Sequence, residues 1–538
     1  MQQVILKNRL SEERFHLFFG VSCLLLLILA YLSHLDFVPL NADHDEARRA
    51  LVAGEMIFSG DYLTPTLNGE IYLNKPPLYN WLIIAYFKLF GNYSMFAFRL
   101  PVIVATIGMG ITVYHFTKKY LSASVAFFTA FAFMTNGRIM IYDSIVGLID
   151  TTFSWIVYIS FFLIYHYGEK KKYYHLFLLT YLIAAAGFLM KGFPALVFQA
   201  LSLLAYFIWK RKFIVLFHPA HFAGILLLVV ITGSYYFAYL SVNDIALLDV
   251  FGNLMQESSK RTFMEHKTRI AIFHLFTFPL TFLYHFAPWT LFVVAFFQKG
   301  LWRKLKQNDF VYYSFVVLMA NIIIYWISPK IHPRYLFMFL PLFYSICFYL
   351  FFETLDNHSW QHKAINAILF VACFALLLTF LILPFLKLNI ETSQPVLKSL
   401  ALVFLFALVV WAMFKMKDYR YYVFILAIIF FRFGFNWFVI ESRGKRYAES
   451  KSVTEQIVLK TKGHDLFILR NAETGNFDGK SFQIMMGRRE ILKFADSIRF
   501  DAFYIIDKHQ AQGKKIEKFM SFNNFYPDTL MLVKFLPE

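Results

Sequence analysis

Long apolar runs separated by short basic connections recur from Phe15 almost to Ile440. A helix needs about 20 such residues to cross a bilayer. By that yardstick the segments 15–35, 96–117, 121–136, 142–167, 173–189, 194–209, 219–241, 271–297, 311–328, 334–352, 364–386, 397–414 and 419–440 predict about thirteen membrane-spanning helices. Two connections are much longer than the rest, 36–95 and 241–270. After Ile440 the pattern changes to a soluble mixture. There Val453 to Leu459 suits a helix, and Leu466 to Leu469, Ala502 to Ile506 and Leu530 to Phe535 suit strands. The chain therefore reads as mainly α, a polytopic helical membrane domain over 1–440 followed by a small α/β domain over 441–538. The first run lacks a small-residue cleavage site and is expected to stay as a signal-anchor helix.

Composition supports this division. Of 538 residues 59% are hydrophobic and 16% charged, which excludes an ordinary soluble domain. The net charge of +18 raises nucleic acid as a partner, but its distribution argues against one. Lysine and arginine gather in alternate short connections (118–119, 170–172, 210–212, 299–306, 415–420), as the positive-inside bias requires of cytoplasmic loops. The excess charge thus reports topology and anionic lipid. An odd number of spans starting inside places 36–95, 241–270 and 441–538 on the outer side, the periplasm of a bacterium. Cys23, Cys347 and Cys373 lie far apart in apolar runs and suit packing. The chain shows no short-period repeat, and the terminal domain no phosphate loop, catalytic triad or metal motif.

The polar island from Asp43 to Pro77 stands out because charge beside a bilayer is costly unless it serves a site. Asp45, Arg48 and Arg49 share one face of a short helix through spacings of three and four. Lys75 stands between Asn74 and the stiff pair Pro76-Pro77, at the level of lipid phosphates. Leu78 to Phe90 is apolar but too short to span, so it is expected to lie along the interface with Trp81 and Tyr86 as anchors. An acid here would orient or deprotonate an acceptor and the arginines would hold a phosphate; a solvated loop helix with paired charges is the competing reading.

Four further clusters lie near outer helix ends. In 137–150, Asp143 and Asp150 are seven residues apart, which predicts one helix face and a separation of about 10 Å. Asp143 reads as functional, whereas Asp150 reads equally as a polar packing contact. Lys191, in the Lys-Gly turn of 189–194, is either a site residue or a snorkelling lysine. Glu257 and Arg261, four apart in 253–263 and followed by His266, form either a site or an intrahelical ion pair. Lys330, His332, Arg334 and Tyr335 cluster on the outer side in 328–341, against the charge bias, which calls for an anion there.

The segments DEARRALVAGEM, SGDYLTPTLNGEIYLNKPPLYNWL and FRLPVIVA together resemble the first outer loop of membrane glycosyltransferases with the GT-C fold. Nearest in pattern are the bacterial aminoarabinose transferases that modify lipid A, within the wider protein O-mannosyltransferase-like superfamily. The resemblance runs to about Pro341 and fades beyond it. It implies an inner-membrane enzyme with its active site facing the periplasm. Such an enzyme takes a sugar from a polyprenyl-phosphate donor to a lipid, glycan or protein acceptor, with inversion. By position it assigns Asp45, Glu46 and Asp143 to catalysis, and Arg48, Lys75, Arg261 and Tyr335 to the carrier phosphate. Asn74, Asp150, Lys191, Glu257, His332 and Arg334 are left as substrate contacts. Asp45 would serve a hydroxyl acceptor as base, with Asp143 second; a phosphate acceptor needs none. The sequence calls for no cofactor. The resemblance brings in a divalent cation, but Asn74 stands where its relatives have the glutamate linked to that ion. Arg49 likewise replaces an aromatic residue. A transporter of lipid-linked sugars is the rival reading, opposed by the lack of repeated halves.

Overall fold

The computed structural model describes residues 2–37, 40, 44–259, 268–329, 331–386, 391–472, 477–523 and 529–537. Among them ten helices are long and apolar enough to cross a membrane, and they fall on ten of the thirteen expected segments. The other three segments are helical over shorter stretches, for local reasons. Within 142–167 the helix starts only at Asp150, because Asp143–Ile145 forms a 3₁₀ turn and Val146 is extended. The segment 194–209 makes a helix of 16 residues. Within 271–297 the helix stops at His285. Pro288, after a cis peptide bond, has no amide to donate, and the chain resumes as the 3₁₀ helix Trp289–Phe296. Asp143 and Asp150 therefore do not share a helix face, contrary to the expectation from their spacing.

Irregular backbone at membrane depth survives only where protein satisfies its polar groups. The stretch from Thr135 to Ile149 meets that condition. Gly137 N donates to Ala287 O at 2.7 Å, and Trp289 Nε1 donates to Thr135 Oγ1 at 2.9 Å. Arg432, fully buried in the last span, donates to Ser144 Oγ at 2.6 Å and also to Met140 O.

The long connection after the first span is ordered throughout its described length. The helix His44–Ser59 leads into a two-stranded hairpin, β1 (Thr66–Leu67) and β2 (Glu70–Ile71), and then into the helix Leu78–Phe90. The last has the bounds read from its apolar pattern. Pro77 stands at its N-cap, and Gly91 ends it in the left-handed region with φ of 64°. Glu46 fixes this loop to the bundle. Its carboxylate pairs with the fully buried Arg99 (2.8 Å) and accepts the amide of Gly147 at 2.7 Å.

The C-terminal region continues from the last span with no linker: Arg420–Phe435, a π-turn at Asn436–Ile440 and Glu441–Lys460 follow one another directly. Beyond them lie β3 (Leu466–Leu469), the helix Asp478–Arg488, β4 (Lys493–Ala495), β5 (Phe503–Ile506), β6 (Ile516–Asn523) and β7 (Thr529–Phe535). The sheet order is β4-β3-β5-β7-β6, with β3 parallel to β4 and β5, and β7 antiparallel to β5 and β6. The expected strands are present, and β4 and β6 complete the sheet. Phe482 and Met485 of the helix Asp478–Arg488 belong to the same apolar core as the membrane helices, so this domain is packed onto the bundle rather than tethered to it.

Candidate active site

Lys75 is placed by the hairpin before it. Asn68 and Gly69 both take left-handed φ, 52° and 79°, the Asn-Gly pattern of a tight two-residue turn. The buried carboxylate of Glu55 receives the Asn68 amide (2.6 Å), the Gly69 amide (3.1 Å) and the Thr66 hydroxyl (2.7 Å). Tyr72 N returns to Pro65 O at 2.8 Å, and Pro76-Pro77 stiffens the exit. Lys75 thus has short rigid chain on both sides.

Six of the sequence-derived candidates line one cavity of about 360 Å³ beside this lysine: Asp45, Lys75, Asp150, Lys191, Glu257 and Tyr335. Arg49 joins them. Phe193, Val197, Phe198, Ile324, Tyr325 and Ile331 make its apolar wall. Asp150, at the first turn of its helix, contacts Lys191 Nζ at 2.5 Å and Arg334 Nε at 3.1 Å. Lys191 closes the helix Tyr173–Lys191, whose chain turns away at Gly192 with φ of 82°, and its ammonium sits 4.2 Å from the centre of the Tyr335 ring. Arg334, 3% exposed, reaches Asp45 as well, at 3.2 Å. One guanidinium therefore ties the outer-loop helix to the deeper Asp150.

The remaining candidates lie elsewhere. Arg48 turns from the cavity and pairs with Asp478 of the C-terminal domain at 3.3 Å. Its neighbour Arg49 faces inward, bonded to the Tyr72 hydroxyl and 5.0 Å above that ring. Glu46 is held by the buried Arg99 and the Gly147 amide and is not among the cavity-lining residues. Asp143 pairs with Arg138 at 2.6 Å and is not among the cavity-lining residues. Asn74 and His332 also lie off the lining, His332 edge-on to Tyr335. Arg261, His266 and Lys330 fall outside the described residues. Glu55 is the site-building residue that the sequence does not single out, whereas Arg49 stands on the helix face shared with Asp45 but outside the carrier-phosphate set. The i, i+4 spacing from Asp45 is the signal that points to Arg49.

The charges in the cavity are unequally satisfied. Asp150 has two cations and Asp45 shares one of them. Lys75 has no carboxylate within ion-pair reach among the described residues; desolvation together with Lys191 and Arg49 outweighs the more distant Glu257 and Asp45 and lowers its pKa to about 8. A group in that setting favours an anionic ligand, which would replace the missing hydration and counter-charge.

Comparison with known proteins adds the fold. ArnT from Cupriavidus metallidurans, crystallised with undecaprenyl phosphate, superposes with a TM-score of 0.67 over 96% of this chain and 97% of that one, at 16% identity. The fold is GT-C. The dolichyl-phosphate-mannose-protein mannosyltransferase family profile matches residues 74–236, the part of the GT-C bundle that holds Lys75, Asp150 and Lys191. An uncharacterized protein of Aquifex aeolicus is 26% identical over 53% of this chain and 55% of its own length. The undecaprenyl phosphate-alpha-4-amino-4-deoxy-L-arabinose arabinosyl transferase 1 of Proteus mirabilis is 30% identical over 35% of each chain. The match thus spans about half the length of the first relative and about a third of the arabinosyl transferase.

The donor set does not fit the divalent cation that the resemblance brought in. An amide, Asn74, precedes Lys75 where a carboxylate is needed, and Asp45 and Asp150 already face cations. Among the described residues no three His, Cys, Asp or Glu side chains converge.

Proposed function

We propose that this chain is a bacterial inner-membrane glycosyltransferase. It takes a sugar from a polyprenyl-phosphate donor to a cell-envelope acceptor, with inversion, in a site facing the periplasm. The observation that carries this reading is the placing of Lys75, which has no carboxylate within ion-pair reach among the described residues, beside Arg49 at the head of an apolar-walled cavity. A lipid phosphate with a hydrophobic tail has that chemistry, and the names of the relatives with matching sequence point the same way. In the reaction the anomeric C–O bond to phosphate breaks, its electron pair passing to the phosphate oxygen. Lys75 and Arg49 stabilise the charge that develops there, which is where preorganised donors contribute most. The acceptor oxygen bonds to the opposite face of the anomeric carbon. Asp45, the half-exposed carboxylate at the cavity, takes the proton of a hydroxyl acceptor. Lys191 and Arg334 keep Asp150 fixed beside the sugar position.

The test is transfer by the purified chain in nanodiscs, using undecaprenyl-phosphate pentoses and hexoses with an envelope-lipid extract. The expected result, read by mass spectrometry, is release of undecaprenyl phosphate matched by a glycosylated acceptor. Movement of the donor across the bilayer with no bond cleavage would overturn the enzyme reading in favour of a transporter.

A further inference from the structure

The C-terminal domain packs on the elements that set Lys75. Its helix Asp478–Arg488 lies on the helix His44–Ser59, with its side chains seated over Gly54. A methyl group there would lie 2.6 Å from Met485 Cε and 2.9 Å from Met486 Cε. Phe482 stacks on Phe87 of the helix that follows Lys75, with ring centres 6.3 Å apart. Arg48 and Asp478 add an ion pair beside this packing.

A second set of contacts reaches the hairpin itself. Arg470 pairs with Glu70 of β2 at 2.6 Å, and the side chain of Lys493 in β4 covers Gly69, where a Cβ would meet Lys493 Cγ at 2.9 Å. From the other side the hairpin turn rests on Glu55. A hairpin with two paired positions has no stability of its own. Its place is set by these two neighbours, and Lys75 follows β2 by four residues.

We propose that the C-terminal domain is a positioning element for Lys75, holding the hairpin from outside while Glu55 holds it from within. The consequence for catalysis rests on the carrier-phosphate reading above; the mechanical claim does not. Residues 441–538 then act through loop 65–77 without touching substrate. Loosening the contact lets water reach the Lys75 amine and costs affinity for the phosphate.

The experiment follows the Lys75 amine in the full chain in nanodiscs, by its rate of acylation against pH, read on the tryptic peptide. Wild type is expected to half-titrate near pH 8. Phe482→Ala with Met485→Ala moves that point up toward the ordinary lysine value and raises the donor KM about tenfold, with kcat changed much less. Arg470→Glu, a substitution of an exposed side chain that leaves the fold intact, does the same to a smaller degree, and Glu70→Arg in the same chain reverses it. Folded variants with an unmoved Lys75 and an unmoved KM overturn the proposal. An inactive wild type with a responsive Lys75 would instead overturn the assigned reaction and leave the brace standing.

Discussion

At the scale of single residues the decisive group is Lys75, because desolvation and two neighbouring cations outweigh the carboxylates near its charge. With a pKa lowered to about 8, the folded chain releases this proton more readily than the unfolded chain does. Between about pH 8 and the ordinary lysine value the unfolded state binds the extra proton, so this group's contribution to stability improves as pH rises through that window. At pH 7 this half-buried, desolvated cation destabilises the ligand-free fold. Lys75→Met is therefore expected to raise the melting temperature of the ligand-free protein at pH 7, by the equivalent of about 1 kcal/mol, while removing activity. Binding an anion works in the opposite direction. Turnover at subsaturating donor should fall as pH rises through about 8, and Lys75→Arg, which stays charged, should move that limb upward. Initial rates across pH 6.5 to 9.5 check both statements. Asp150 makes a separate prediction. Asp150→Asn leaves Lys191 and Arg334 facing each other without their shared carboxylate and should cut kcat at least tenfold, read by the same assay.

At the scale of elements the outer-loop helix His44–Ser59 separates structural from chemical roles. Glu46 and Asp45 are neighbours, yet one is bonded to buried Arg99 and the other borders the cavity. Removing one partner of a buried ion pair costs about 3–5 kcal/mol. Glu46→Ala is expected to lower thermal stability strongly and Asp45→Asn hardly at all, while Asp45→Asn removes transfer to hydroxyl acceptors; melting curves and rates on the same preparations distinguish them. This division was not legible in the sequence. Adjacent residues differ by 100° around a helix, and which one meets Arg99 depends on a span more than fifty residues away. Which of Arg48 and Arg49 faces the cavity was not legible for the same reason, since Asp478, the partner of Arg48, lies 430 residues away. What was legible is what local pattern controls: ten spans, the interfacial helix Leu78–Phe90, three strands, and the stiff Lys75-Pro76-Pro77 segment. The turn at Asp143–Ile145 was missed because Ser144 is met by the distant Arg432, while Trp289 and Ala287 hold the chain leading into it at Thr135 and Gly137.

At the scale of the whole molecule the bundle and the C-terminal domain form one unit around the loop between them. The basic connections and the outer cavity lie at opposite ends of the spans, so the proposed orientation has a direct check. A cysteine at Gly513 should be labelled by a membrane-impermeant maleimide added to intact spheroplasts, and one at Lys171 only after lysis, in a background with the three native cysteines replaced. The central claim is that the cavity at Lys75 takes a carrier phosphate. The most direct measurement is the affinity of undecaprenyl phosphate for the chain in nanodiscs at pH 7, wild type against Lys75→Ala, with Lys171→Ala as the control for net charge. A phosphate held by Lys75 gives at least a tenfold loss for Lys75→Ala, about 1.4 kcal/mol, and wild-type affinity for Lys171→Ala. Equal affinities in all three proteins would contradict it.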